Sequence, residues 1–172
     1  MDYLFSVTYE ELRRLAAVVK RGDQSATLNP TALVNEAWMR LRSAPGLEVA
    51  SLLHFKRVAA RAMRQILVEA ARRRQAQKRG GDGLARLVAL EEVGGEAAAR
   101  MPETEELLAL EEALGELERL DARQAQLVEA RFFGGLEVGE LTELFGVSEA
   151  TIMRDWRVAR AWLAERMRGG RG

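Results

Sequence analysis

Between His54 and Arg79 the chain carries Lys56, Arg57, Arg61, Arg64, Arg72, Arg73, Arg74, Lys78 and Arg79 against a single acid, Glu69. Cations at that density suit a polyphosphate, because each phosphate neutralised releases condensed counterions and binding becomes strong and steeply salt-dependent. A solvated helix face is the plainer reading, weakened because acids at i±4, which would pair these cations within one helix, are mostly missing. A second set lies near the end of the chain, where Ser148, Glu149, Thr151, Arg154, Arg157 and Arg160 are interleaved with Ile152, Trp156, Ala159 and Leu163. Arginine can grip guanine O6 and N7 with two hydrogen bonds, glutamate can accept from cytosine N4, and Ser148 or Thr151 can reach a phosphate. Arg160 and Arg166, farther along, suit the phosphate backbone.

Little else could do chemistry. The 172 residues include no cysteine and one histidine, which excludes disulfides and thiolate metal sites and leaves His54 without a second imidazole to share a metal. Gly80-Gly81-Asp82-Gly83 lacks the lysine and the strand context of a phosphate-cradling loop, and no nucleophile sits beside a base. The expectation is a binding protein that is not an enzyme and needs no cofactor, metal or small-molecule substrate. His54 reads as a polar residue at a helix start. With Phe55 it supplies the scarce stacking surface near the basic run, where a neighbouring loop could hold an extruded base.

These residues need helices to present them. Hydrophobic residues make up 48% of the chain and aromatics 6%, and the apolar positions recur at helical rather than strand spacing, so the fold class expected is all-α. Leu12, Leu15 and Val19 mark a helix from about Thr8 to Lys20, ended by Gly22. Asn29-Pro30 reads as an N-cap with proline at the first helical position, opening a helix to about Arg42. Ser43-Ala44-Pro45-Gly46 breaks it, and a loop reaches His54 before the basic helix runs from Phe55 to about Arg79 on the stripe Phe55, Ala59, Ala62, Ile66, Ala70.

Glycines and Pro102 mark residues 84–104 as a flexible linker, separating a domain at 1–83 from one at 105–172. In the second, Leu107, Leu110, Leu114 and Leu117 share a helix face, Asp121 stands three residues before Gln124 as a cap, and Gly134-Gly135 closes the following helix. Segments 138–145 and 148–167 meet across Gly146, with Leu141, Phe145, Val147 and Ile152 at the crossing, which is the pattern of a helix-turn-helix. The N-terminus has neither the basic start nor the small-residue cleavage site of a signal peptide, and no apolar run approaches a membrane span, so a cytoplasmic protein without membrane contact is expected.

Net charge is zero, yet the charges are segregated. Residues 1–90 hold 16 lysines and arginines against 8 acids, residues 91–147 hold 4 against 15, and residues 148–172 hold 6 against 3. Two cationic surfaces for polyanions, separated by an acidic stretch, follow from that distribution.

In this order and spacing the segments resemble the extracytoplasmic-function (ECF) sigma factors of the sigma-70 family. LNPTALVNEAWMRLRSA looks like the polymerase-binding helix of region two, and HFKRVAARAMRQILVEAARRRQAQKRGG like the adjoining promoter-contacting helix. LDARQAQLVEARFFGGLEVGELTELFGVSEATIMRDWRVARAWLAERM looks like region four. The pattern is not copied throughout: Asn29-Pro30-Thr31 replaces an acidic pair common before the first of these helices, and Thr142 stands where alanine is usual.

The resemblance implies a sigma factor that brings core RNA polymerase to promoter DNA. Leu33, Asn35, Glu36, Met39 and Arg40 would grip the β′ clamp helices, while region four meets the β flap. The loop 43–54 with His54, Phe55, Arg57, Arg61, Arg64, Arg72, Arg73, Arg74 and Lys78 would open and hold the −10 element. Ser148, Glu149, Thr151, Arg154, Arg157 and Arg160 would read the −35 element. The family also admits an anti-sigma factor as a partner. The rival reading is a dimeric helix-turn-helix repressor or activator, which palindromic half-sites and a stable dimer would favour.

Overall fold

The computed structural model describes residues 2–20, 29–77 and 104–169. Among them lie seven helices and no strand: α1 (Asp2–Lys20), α2 (Pro30–Ser43), α3 (Leu52–Gln77), α4 (Thr104–Leu120), α5 (Ala122–Phe132), α6 (Val138–Phe145) and α7 (Glu149–Gly169). The regular structure among the described residues is all-helical, as the spacing indicates. The helix stop expected at Gly22, Lys78 with the Gly80–Gly83 stop, and nearly all of the linker lie outside the described residues.

Two helices begin earlier than the sequence suggests. Thr8 is mid-helix, not a start: its buried hydroxyl bonds back to the Leu4 carbonyl at 2.7 Å, and α1 opens at Asp2. Helix α3 opens at Leu52 because Ser51 caps it, its hydroxyl accepting from the His54 amide at 3.1 Å and its carbonyl from that of Phe55 at 2.9 Å. His54 therefore stands in the first turn, where Nδ1 accepts the Ala50 amide at 3.2 Å. The Asn29 and Asp121 caps form as read, accepting from the amides of Ala32 at 2.7 Å and Gln124 at 3.0 Å.

Phe5 stacks on Trp38 with ring centres 4.4 Å apart, and Trp38 meets Phe55 edge-on, fastening α1, α2 and α3 together. Phe55 is completely buried, a burial that contributes roughly 1.5–3 kcal/mol. In the second half Leu107, Leu110, Leu114 and Leu117 of α4 are buried with Leu127 and Val128 of α5 and Ile152 and Leu163 of α7.

Helix α3 belongs to both halves. It packs on α1 and α2, and also on α4, α5 and α6. Its buried residues accordingly exceed one stripe: beside Phe55, Ala59, Ala62 and Ile66 they include Ala60, Met63, Leu67, Val68 and Ala71. Gly134 shows how tight the approach is, since a Cβ there would lie 2.5 Å from the Ala130 carbonyl oxygen and 3.0 Å from the Ala60 methyl.

Candidate nucleic-acid interface

The helix-turn-helix is built by three local devices. Glu140 reaches back to accept the Glu137 amide at 2.9 Å, which fixes the start of α6. Gly146 adopts φ 64°, the left-handed conformation that lets its amide close on the Thr142 carbonyl at 2.9 Å and ends α6 abruptly. Ser148 then opens α7, its hydroxyl accepting the Thr151 amide at 3.3 Å and lying 3.0 Å from the Thr151 hydroxyl.

On α7 the spacing divides the side chains as read. Ile152, Trp156, Ala159 and Leu163 are buried, whereas Ser148, Glu149, Arg154 and Arg157 are exposed, with Thr151 and Arg160 half-buried beside them. Arg166 takes another role: its Nε and a terminal nitrogen each lie 2.6 Å from a Glu116 carboxylate oxygen, a two-pronged pair that ties α7 to α4. The expectation that it lies along a phosphate backbone is not what this conformation uses it for.

Asp155 was not foreseen. It is buried on the inward face of α7, accepts a hydrogen bond from Arg123 of α5 at 2.6 Å, and stands 3.6 Å from the Arg154 Nε. A carboxylate within the Ile152, Trp156, Ala159 face announces an internal cation partner, and that was the available signal. The Arg131 guanidinium lies over the Trp156 ring, 4.9 Å from its centre. Burial holds Arg131 below its ordinary pKa, against the pull of Glu137.

On α3 the proposed nucleic-acid residues fall into two groups. Arg61, Arg72 and Arg73 are exposed, while His54 and Arg74 are half-buried. Arg57 and Arg64 are engaged by the second half. Arg57 donates to Gln126 at 3.0 Å, and Arg64 is held by Glu111 at 2.7 Å and Glu129 at 2.6 Å. The neighbouring Lys56 ammonium is held by Glu11 at 2.8 Å and Glu140 at 2.6 Å. Phe55 lies in the core and offers no ring to a base in this conformation, because Trp38 and the packing of α1 and α2 cover it.

Burial works against charge on Lys56 and Arg64, but the carboxylates around them outweigh it and raise both pKa values. Burial pushes Glu129 upward, and Arg64 only partly offsets it. Glu140 goes the other way: burial opposes its ionisation, but the Lys56 hydrogen bond and the Glu137 amide carry it below the ordinary carboxylate value.

On α2, Asn35 and Met39 project into solvent, Met39 with 60% of its surface exposed. Leu33 points inward and is buried, so it supports that face from beneath instead of forming part of it. Arg40 donates to Glu36 at 3.0 Å and grips both oxygens of Glu69 at 2.9 and 2.7 Å, which fixes α2 to α3. The Glu69 hydrogen bond, against the cost of burial, raises the Arg40 pKa and the same contact lowers that of Glu69.

Among the described residues no helix is long and apolar enough to cross a membrane, and no cluster of side chains has the make-up of a metal site. No curated protein and no solved structure shows significant similarity to the chain. The family model for ECF sigma factors, by contrast, matches residues 1–169. A match of that extent, over a chain whose last helices form a helix-turn-helix, establishes that the protein belongs to the ECF sigma factors, transcription initiation factors that act by binding RNA polymerase.

Proposed function

We propose that the protein directs polymerase to a two-part promoter, the halves at 1–83 and 105–172 acting as separate modules joined by the linker at 84–104, in the cytoplasm. The outward face of α7 carries this reading: Arg154 and Arg157 stand exposed beside Glu149, on a helix anchored from behind by Ile152, Asp155 and Trp156. Rigid backing with adaptable donors in front is what duplex reading in a major groove needs. Glu149, Arg154 and Arg157 address base edges of the −35 element, Thr151 and Ser148 the adjoining phosphates, and Arg160 the backbone farther on.

The first half holds the polymerase and the melted strand. Asn35, Glu36, Met39 and Arg40 form the face for the clamp helices, where an exposed methionine among charges suits helix-against-helix docking. Arg57, Arg61, Arg64, Arg72, Arg73, Arg74 and Lys78 neutralise phosphates around the −10 element, and the loop 43–54 with His54 borders the place for an extruded base. Region four engages the β flap, and an anti-sigma factor is the further partner that membership of the family suggests.

The test is selection of duplexes from a random library by core polymerase carrying the protein. A bipartite motif supports the reading, and Arg154→Ala or Arg157→Ala relaxes its upstream element only. Enrichment of a palindrome by the protein without polymerase contradicts it.

A further inference from the structure

Asp155 is the acid of α7 that faces inward, and its two oxygens serve two arginines. Oδ2 accepts from a terminal nitrogen of Arg123 on α5 at 2.6 Å, while Oδ1 stands 3.6 Å from Nε of Arg154, its neighbour on the exposed face. The Asp155 side chain is 6% exposed and that of Arg154 64%. We infer that Asp155 is a positioning residue for the reading of duplex DNA: with one oxygen tied to Arg123, it uses the other to hold Arg154 by Nε and aims the terminal nitrogens at one base pair of the −35 element.

The inference rests on the reading of α7 as the duplex-reading helix and adds to it a residue that touches no base. Adjacent residues on a helix point about 100° apart and do not ordinarily face each other. Contact between Arg154 and Asp155 therefore requires the long side chain to turn along the flank of α7 instead of standing straight out. A free arginine on a surface samples many directions, and binding must select one of them; an arginine held beforehand has less freedom to lose. Because the contact is made at Nε, the end of the fork remains for O6 and N7 of guanine, a pairing that takes two donors. Arg157 is held at the same atom by another partner, its Nε donating to the Met153 carbonyl of its own helix at 3.3 Å. The partner of Arg154 is a side chain, which can be changed without touching the reader.

A carboxylate this close to a reading face would ordinarily repel phosphates. Two features remove that cost. Asp155 lies behind the face, buried on the side of α7 that carries Ile152, Trp156 and Ala159, and the Arg123 guanidinium neutralises it from α5. Two cations around one acid leave the cluster net positive toward the duplex. One cation would suffice to pair a buried carboxylate; the second oxygen, turned to Arg154, is what points to a further role.

The test repeats the selection of duplexes by core polymerase carrying the full chain, now with Asp155→Asn, Arg154→Ala, the two together, and Arg123→Gln. Asparagine keeps the shape and an oxygen for Arg123 but loses the charge that holds Arg154. Arg154→Ala marks the position of the motif that Arg154 reads. Asp155→Asn is expected to lower the preference at that same position about two- to ten-fold, the factor for ordering one long side chain, and to leave the other positions as sharp as before. The double variant is expected to be no worse there than Arg154→Ala alone. Arg123→Gln breaks the tie between α5 and α7 but keeps the Arg154 contact, so it lowers the melting temperature without blurring that position. The inference is overturned if Asp155→Asn lowers stability as Arg123→Gln does while the preference at that position stays intact or falls evenly along the motif. Equal blurring by Arg123→Gln assigns the effect to the tie between helices and likewise overturns it.

A second measurement does not depend on any variant folding. In the unaltered chain the order parameter of the Arg154 Nε–H bond, from nitrogen relaxation, is expected to exceed that of Arg72, exposed on α3; equal order contradicts the inference. The two readings fail separately. If α7 is not the reading helix, Arg154→Ala leaves the motif intact; if only the positioning is wrong, Arg154→Ala blurs one position and Asp155→Asn blurs none.

Discussion

Arg154 and Arg157 present exposed side chains on a helix whose opposite face is buried. Replacing either with alanine is expected to cost about 1–3 kcal/mol of binding to a matched −35 duplex while leaving the folded stability nearly unchanged, as read by duplex titration and thermal melting. Glu140 makes a different prediction. Its pKa is lowered in the fold from an ordinary value of 4.5, so the native state releases this proton more readily than the unfolded chain. Its stabilising contribution is complete above that ordinary value and is lost as pH falls through the lower folded one. Melting the protein at about pH 6 and about pH 3 should therefore show a smaller drop for Glu140→Gln than for the unaltered chain; equal drops would show that the Lys56 contact carries no such linkage. The alternation on α7 was legible because it is local, repeating every three or four residues. The acids that hold Lys56 and Arg64 were not, since Glu111, Glu129 and Glu140 lie 47, 65 and 84 residues from the cations they hold, and a search for partners at i±4 has no view of them.

Helix boundaries were legible where the capping chemistry is unambiguous. Asn29 before Pro30, Asp121 before Gln124, and Gly146 between α6 and α7 each offer one favourable arrangement of donor, acceptor or backbone angle. They failed where a hydroxyl had two uses: Thr8 bonds backward within α1, whereas Ser51 caps α3. The two informative glycines separate conformation from space. Gly146 has φ 64° and open room around a would-be Cβ, so Gly146→Ala should cost about 1–2 kcal/mol from backbone strain alone. At Gly134 the Cβ would meet the Ala130 backbone oxygen at 2.5 Å, the Leu136 side chain at 2.9 Å and the Ala60 methyl at 3.0 Å, which demands that the turn after α5 shift as well as its seat on α3. Gly134→Ala should cost about 3 kcal/mol, the upper part of the range for overpacking. Urea unfolding orders the two; a smaller loss at Gly134 would mean that the crossing yields easily.

At the scale of the whole molecule, zero net charge hides opposed blocks, and among the described residues Lys56 and Arg64 of α3 meet acids of α1, α4, α5 and α6. The all-helical class, the helix-turn-helix and the basic helix could be read from the chain, because each is encoded in a contiguous stretch. That α3 would be covered on both sides could not, because its Ala60 looks in sequence like a minor apolar position and gains its meaning only when Gly134 of the second half arrives against it. Raising salt screens the ion pairs at Lys56 and Arg64, so the radius of gyration should grow from low salt to about 1 M, where the screening length falls to about 3 Å. A radius that stays constant would mean that packing alone holds the halves together. The central claim is that this chain confers promoter choice on RNA polymerase. Run-off transcription with sigma-free core polymerase on a random promoter library tests it most directly: defined start sites should emerge only when the protein is added, and transcripts identical with and without it would contradict the account.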